Sequence, residues 1–350
     1  MGPGDGPVTL AQAKALAQAT RPRPKGAKAA LADASPATIG VVRKKAALLR
    51  RQENQRRVEE YTATLEIMKK RGATKSATKP KASGKSTGAK ARPAAKAPPK
   101  VVTRPLQVLA EGDSWFEYPA LFFGGGVIPR LEDRLGVPIL NLAKAGDEVR
   151  YMLGVEERKL LIQQLANGCP AGGPWDVVLF SGGGNDIVDN PMALWIRDFN
   201  AATSPAGHLK QDRFDAALAL VRAGYEDLIA LRDDLSPGTH LVFHAYDFAI
   251  PDNRGICHLG PWLRPTFNLK GFPADRVKST AVVKVMLQQF AAMLQSLAVT
   301  PGVTFINGQG TLAPQVSSWH NELHPARAGF TAFAELFYQK LKALFPTQVL

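Results

Sequence analysis

Beyond residue 104 two textures alternate along the chain. Short, nearly continuous apolar runs at Leu106–Ala110, Ile139–Leu142, Val177–Phe180, His240–Ala245 and Val303–Ile306 predict strands. Between them, apolar residues recur every three or four positions, which predicts helices at Val127–Leu135, Asp147–Ala166, Asp212–Leu235, Asp275–Leu297 and Ala326–Leu344. Strands that are apolar at consecutive positions have both faces covered. Their alternation with helices predicts an α/β fold around a mostly five-stranded parallel sheet. Ligands of such sheets bind beyond the carboxyl ends of the strands, so the strand exits are where chemistry is expected.

The first hundred residues lack this alternation. Residues 1–36 are rich in Ala, Gly and Pro and predict a flexible segment with one helix-compatible stretch, Val8–Gln18. Residues 37–71 are dominated by good helix formers and predict a basic helix. Within it Val58, Tyr61, Leu65 and Met68 follow heptad spacing, but the same register meets Lys44, Arg51 and Asn54 further back. Such a short stripe suits either packing on something nearby or a brief self-association. Residues 72–103 are Lys-, Ala- and Pro-rich without an acid or an aromatic, and predict a disordered linker. Gly84-Lys85-Ser86-Thr87-Gly88 copies a nucleophile-elbow pattern there, but without the strand and helix that the elbow requires.

Charge sharpens this division. The formal net charge of +14 points towards nucleic acid. Yet residues 1–100 hold 23 Lys and Arg against 6 Asp and Glu, a net of +17, and the remaining 250 residues hold 21 against 24, a net of −3. The basic character belongs to the arm, which suits either non-specific polyanion contact or a self-repelling tether. Cys169 and Cys257 form neither a pair nor a cluster, which argues against a disulfide scaffold or a cysteine zinc site. No secretory signal pattern is visible at the N-terminus and no apolar run approaches the ~20 residues of a membrane span. A cytoplasmic location is expected, with signal-independent export left open.

Four blocks carry the candidate chemistry. Glu111-Gly112-Asp113-Ser114-Trp115 follows the first strand and Asn141-Leu142-Ala143-Lys144-Ala145-Gly146-Asp147 the second. Ser181-Gly182-Gly183-Gly184-Asn185-Asp186 follows the third, and Trp319-His320-Asn321-Glu322-Leu323-His324-Pro325 precedes the last helix. A Ser hydroxyl needs a base within reach to act as a nucleophile, and His324 is the candidate. In this order the blocks resemble those of the SGNH (GDSL-like) hydrolase family, over residues 104–345. The resemblance implies a flavodoxin-like three-layer sandwich and a serine ester hydrolase acting through an acyl-enzyme on Ser114. It implies an oxyanion hole from the backbone N–H groups of Ser114 and Gly146 and the side-chain amide of Asn185. No cofactor and no metal are expected.

One position departs from the resemblance. The family usually carries Asp three residues before the histidine, where this chain has Asn321. An amide can still orient the histidine through its oxygen, but it brings no charge. Two other readings stay open beside the esterase: an acyltransferase using the same serine, and a catalytically weak domain serving as a polyanion-binding scaffold. The long connection 247–274 has the makings of a lid, with Phe248, Trp262, Phe267 and Phe272 as an acyl-binding wall or simply as packing. Trp115, Phe116, Tyr118, Phe122 and Phe123 would add an aromatic rim, and an apolar acyl ester is the expected substrate.

Overall fold

The computed structural model describes residues 8–19, 36–72, 104–119, 124–256 and 259–349, side chains at 18, 19 and 36–47 excepted. All of the expected linker 72–103 but Gly72, most of the segment 1–36, and Phe122 and Phe123 lie outside the described residues.

Two helices come first, α1 (Leu10–Ala19) and α2 (Pro36–Arg71). The alternating part then runs β1 (Val108–Gly112), α3 (Val127–Leu135), β2 (Ile139–Asn141), α4 (Val149–Met152), α5 (Val155–Asn167), β3 (Val177–Ser181) and α6 (Met192–Trp195). It continues through α7 (Gln211–Leu235), β4 (His240–His244), α8 (Arg264–Leu269), α9 (Val277–Leu297), β5 (Val303–Ile306) and α10 (Arg327–Leu344). All five strands are parallel, in the order β2-β1-β3-β4-β5. That is the flavodoxin-like order, whose direction of growth reverses between β1 and β3 and opens a crevice at their carboxyl ends.

Both faces of the sheet are covered. β1 and β3 are buried at every position, as their continuous apolar runs require. Phe180 and Phe243 pair across β3 and β4 and meet Tyr225 of α7 edge-on, at ring separations of 4.9 and 4.7 Å. On the opposite face His244 and Phe116 meet Phe337 of α10. The helix expected over 147–166 is instead two helices, α4 and α5. Gly154 breaks it with extended backbone at the start of α5, where a Cβ would come within 2.7 Å of the Arg150 carbonyl. Pro325 precedes the last helix and is paired across a short bridge with Trp319.

The arm helix lies against the sheet. Tyr61 of α2 packs on Trp175 at 5.7 Å and contacts the Cys169 thiol, and Met68 packs with Val8, Leu10 and Ala13 around α1. The heptad-spaced stripe is therefore spent within the chain. Lys14 and Arg50 add ion pairs to Glu132 and Glu157. No helix among the described residues is long and apolar enough to cross a membrane.

Candidate active site

The turn after β1 is built around Asp113. Its carboxylate accepts the Trp115 N–H at 3.0 Å, the Ser181 hydroxyl at 2.9 Å and the Tyr246 hydroxyl, while its own N–H bonds the Ser181 carbonyl at 2.9 Å. Burial pushes this carboxyl up to about 6, the Tyr246, Trp115 and Ser181 bonds opposing the rise. Ser181 also meets Nε2 of the buried His244 at 2.8 Å, and burial holds that imidazole down at about 4. The Asp-Ser-His set beneath the turn is inaccessible to solvent and serves to fix Ser114 at the rim.

The second loop delivers the histidine. Ser114 Oγ lies 2.6 Å from His324 Nε2, and His324 Nδ1 lies 2.9 Å from Asn321 Oδ1. That Asn321 oxygen also accepts the backbone N–H groups of Leu323 and His324, both at 3.0 Å. Backbone amides only donate, so the atom facing them is oxygen and not the NH₂. His324 must then carry its proton on Nδ1, leaving Nε2 free to take a proton from Ser114. The Asn321 amide nitrogen donates to the Tyr118 hydroxyl at 3.1 Å, which meets His320 Nδ1 at 2.7 Å. Tyr118 also lies against the His324 ring, with centroids 4.4 Å apart. Burial, with His320 nearby, pushes the His324 imidazole down to about 3.

Glu322, between the two histidines, points away from both. It is fully buried and accepts the backbone N–H groups of Asn253, Trp262, Leu263 and Arg264 at 2.7–3.0 Å. Arg254 returns the favour, donating to the carbonyls of Val316, Trp319 and His320. The 247–274 connection and the histidine loop are thus laced together. Trp115 Nε1 ties the nucleophile turn to the same loop through the Leu323 carbonyl at 3.1 Å.

The remaining sequence-derived residues reach the same edge. Gly146 has φ +84°, a conformation that a side chain would strain, and the space where its Cβ would stand is open. The Asn185 amide donates to the Asp147 carbonyl at 2.9 Å, and a second N–H remains on that nitrogen. Gly183, at φ +94°, sits where a Cβ would stand 2.7 Å from Phe290 and Val221, too close for any side chain.

Ser114 and Asn185 open onto a narrow cleft with a cavity volume of about 40 Å³. Its walls are largely aliphatic: Ile187, Leu263, Val283, Met286 and Leu287, with Trp115. Of the two readings of the 247–274 aromatics, the ring contacts favour packing. Phe267 and Phe272 pack on each other at 4.9 Å, Phe248 sits under Lys284, and Trp262 stands edge-on to His324 at 5.9 Å. Phe116 is buried against α10, and among the described residues of the expected rim only Trp115 lines the cleft. Tyr118 was visible in the sequence only as an aromatic, and nothing in the spacing ties it to Asn321.

Three of the four blocks leave β1, β2 and β3, the fourth precedes α10, and they meet at the β1–β3 crevice. The fold is α/β, a five-stranded all-parallel sheet in flavodoxin-like order. No protein-family model matches the chain, and no curated protein matches it. Among solved structures, the lipase Lip_vut3 from a goat rumen metagenome is 16% identical and aligns over 67% of this chain and 96% of its own, with a TM-score of 0.44. The extracellular lipase of Streptomyces rimosus is 16% identical over 67% of this chain and 99% of its own, with a TM-score of 0.44. Est24, a carbohydrate acetylesterase of Sinorhizobium meliloti, is 16% identical over 69% and 100%, with a TM-score of 0.38.

Proposed function

We propose that this chain is a serine ester hydrolase acting on esters with an apolar acyl group. The observation that carries this reading is the 2.6 Å contact between Ser114 Oγ and His324 Nε2 at the mouth of an aliphatic cleft. Ser114 Oγ attacks the ester carbonyl carbon and its proton passes to His324 Nε2. Negative charge moves onto the carbonyl oxygen, where the N–H groups of Ser114 and Gly146 and the Asn185 amide meet it. Fixed donors at this point are usually the largest single contribution to catalysis, each about 10²–10³ in turnover. Collapse of the intermediate expels the alcohol, which takes its proton from His324. Water then attacks the acyl-enzyme by the same route, and the acid leaves.

The cleft supports the acyl group as the recognised part, because it offers an apolar chain burial and few polar partners. The test is covalent labelling by a fluorophosphonate together with hydrolysis of p-nitrophenyl esters. Wild type should label and turn over, Ser114→Ala should do neither, and His324→Ala should label far more slowly. A wild type that does not label, or a Ser114→Ala variant that labels equally, would reject the assignment. Transfer of the acyl group to an added alcohol in preference to water would identify an acyltransferase using the same serine.

A further inference from the structure

β2 is an edge strand, yet the segment that leaves it carries much of the oxyanion hole. In a parallel ladder alternate residues turn both N–H and C=O to the same side. The Leu142 and Lys144 N–H groups bond the carbonyls of Ala110 and Gly112, both at 2.8 Å, so pairing with β1 continues past the end of β2. The carbonyls of Asn141 and Ala143 face the other way, where a sixth strand would lie. Arg57 of α2 stands in that place. Its Nη1 donates to both carbonyls, at 3.0 and 2.8 Å, and its Nη2 pairs with the Glu117 carboxylate at 2.9 Å.

One guanidinium thereby holds two catalytic segments. Glu117 lies three residues beyond Ser114, and Ala143 lies three residues before Gly146. The Asp147 carbonyl, next in the same segment, positions the Asn185 amide at 2.9 Å. A tilt of residues 141–147 would therefore move two of the three oxyanion donors together. We propose that Arg57, from the helix outside the alternating fold, is a positioning residue for the oxyanion hole, so that α2 is needed for turnover as well as for packing. This rests on the esterase reading above. Lysine could not replace it, since a point charge cannot span two carbonyls and a carboxylate with one planar fork.

The experiment compares kcat and KM for a p-nitrophenyl ester in the full chain and in Arg57→Ala, Arg57→Lys and Arg50→Ala. The Arg57 variants should lose about 10- to 100-fold in kcat with KM changed less than about threefold, since small misplacements near the reacting atoms cost about that much. Methylguanidinium should restore part of the kcat of Arg57→Ala and none of Ser114→Ala. Arg50→Ala removes a different ion pair between α2 and the alternating part, to Glu157, and should keep wild-type kcat. If Arg57→Ala does not fold by circular dichroism, Arg57→Lys alone decides. Full kcat in Arg57→Lys, or an equal loss in Arg50→Ala, would overturn the proposal. An inactive wild type would instead count against the esterase reading.

Discussion

Asn321 gives His324 an acceptor at 2.9 Å without giving it a charge. Two backbone N–H groups hold the amide oxygen in place, so the imidazole has the tautomer that a base requires. An amide in this role is costly when it imposes the wrong tautomer, and here it does not. What is missing is a carboxylate to stabilise the imidazolium, and the buried ring is held down at about 3.

Asn321→Asp should therefore change the pH profile more than the fold. A carboxylate in contact with an imidazole raises its pKa by about 1–3 units. The acid limb of kcat/KM should move up by at least about one unit, and kcat at pH 8 should rise about tenfold, the equivalent of one unit. An acid limb that stays where wild type has it would show that Asn321 does not set the basicity of His324.

Glu322→Gln should act on stability first. Its carboxylate serves four backbone N–H groups, and a glutamine would turn a donor towards some of them. Charged hydrogen bonds in a buried site are worth about 1.5–3 kcal/mol each, so the expected loss is about 3 kcal/mol. It would be read as a lower urea midpoint at unchanged slope. A midpoint equal to wild type would mean that the four contacts do not anchor the loop.

Met286→Trp should shorten the accepted acyl chain. Each methylene excluded from an apolar pocket costs about 1–3 kcal/mol. Across p-nitrophenyl acetate, butyrate and octanoate, kcat/KM for the longest ester should fall about 10²-fold or more, with acetate changed less than about threefold. A uniform fall across the series would place the acyl chain elsewhere.

Asp113 should leave a signature in stability against pH. Its pKa is about 6 in the fold against 3.8 as its ordinary value, so between these values the folded state holds a proton that the unfolded chain releases. Its contribution to stability therefore grows as pH falls from about 6 to about 4. The buried His244 and His324 run the other way, losing stability as pH falls from 6.5. Wild type should gain on Asp113→Asn by roughly 1–3 kcal/mol between pH 6 and pH 4 in urea unfolding. A constant difference would show that the carboxyl titrates normally.

The strand exits are legible in the sequence because a parallel sheet turns every carboxyl end to one edge, so blocks after separate apolar runs must meet. The blocks bearing Ser114, Gly146 and Asn185 are readable on that ground, and the one bearing His324 from its place before the last helix. The amide orientation of Asn321 is not, since it depends on two N–H groups placed by the local turn. Nor is the partner of α2: a short apolar stripe says that a helix packs, not on what, and Arg57 reaches carbonyls 84 and 86 residues away. Glu322 leaves a fainter signal, a carboxylate between two histidines that has no role in the proposed chemistry.

The carboxylate of Glu322 joins the wall that bears Leu263 to the loop that bears His324. On the esterase reading proposed above, chain-length choice and proton transfer would share one anchor. Variants that widen the cleft by loosening residues 253–264 would pay in base alignment for every gain in substrate range. Val283, Met286 and Leu287 of α9 line the cleft, and the backbone groups that Glu322 accepts lie elsewhere, at 253 and 262–264. Diversification of substrate preference, in relatives or in the laboratory, should accordingly run through α9.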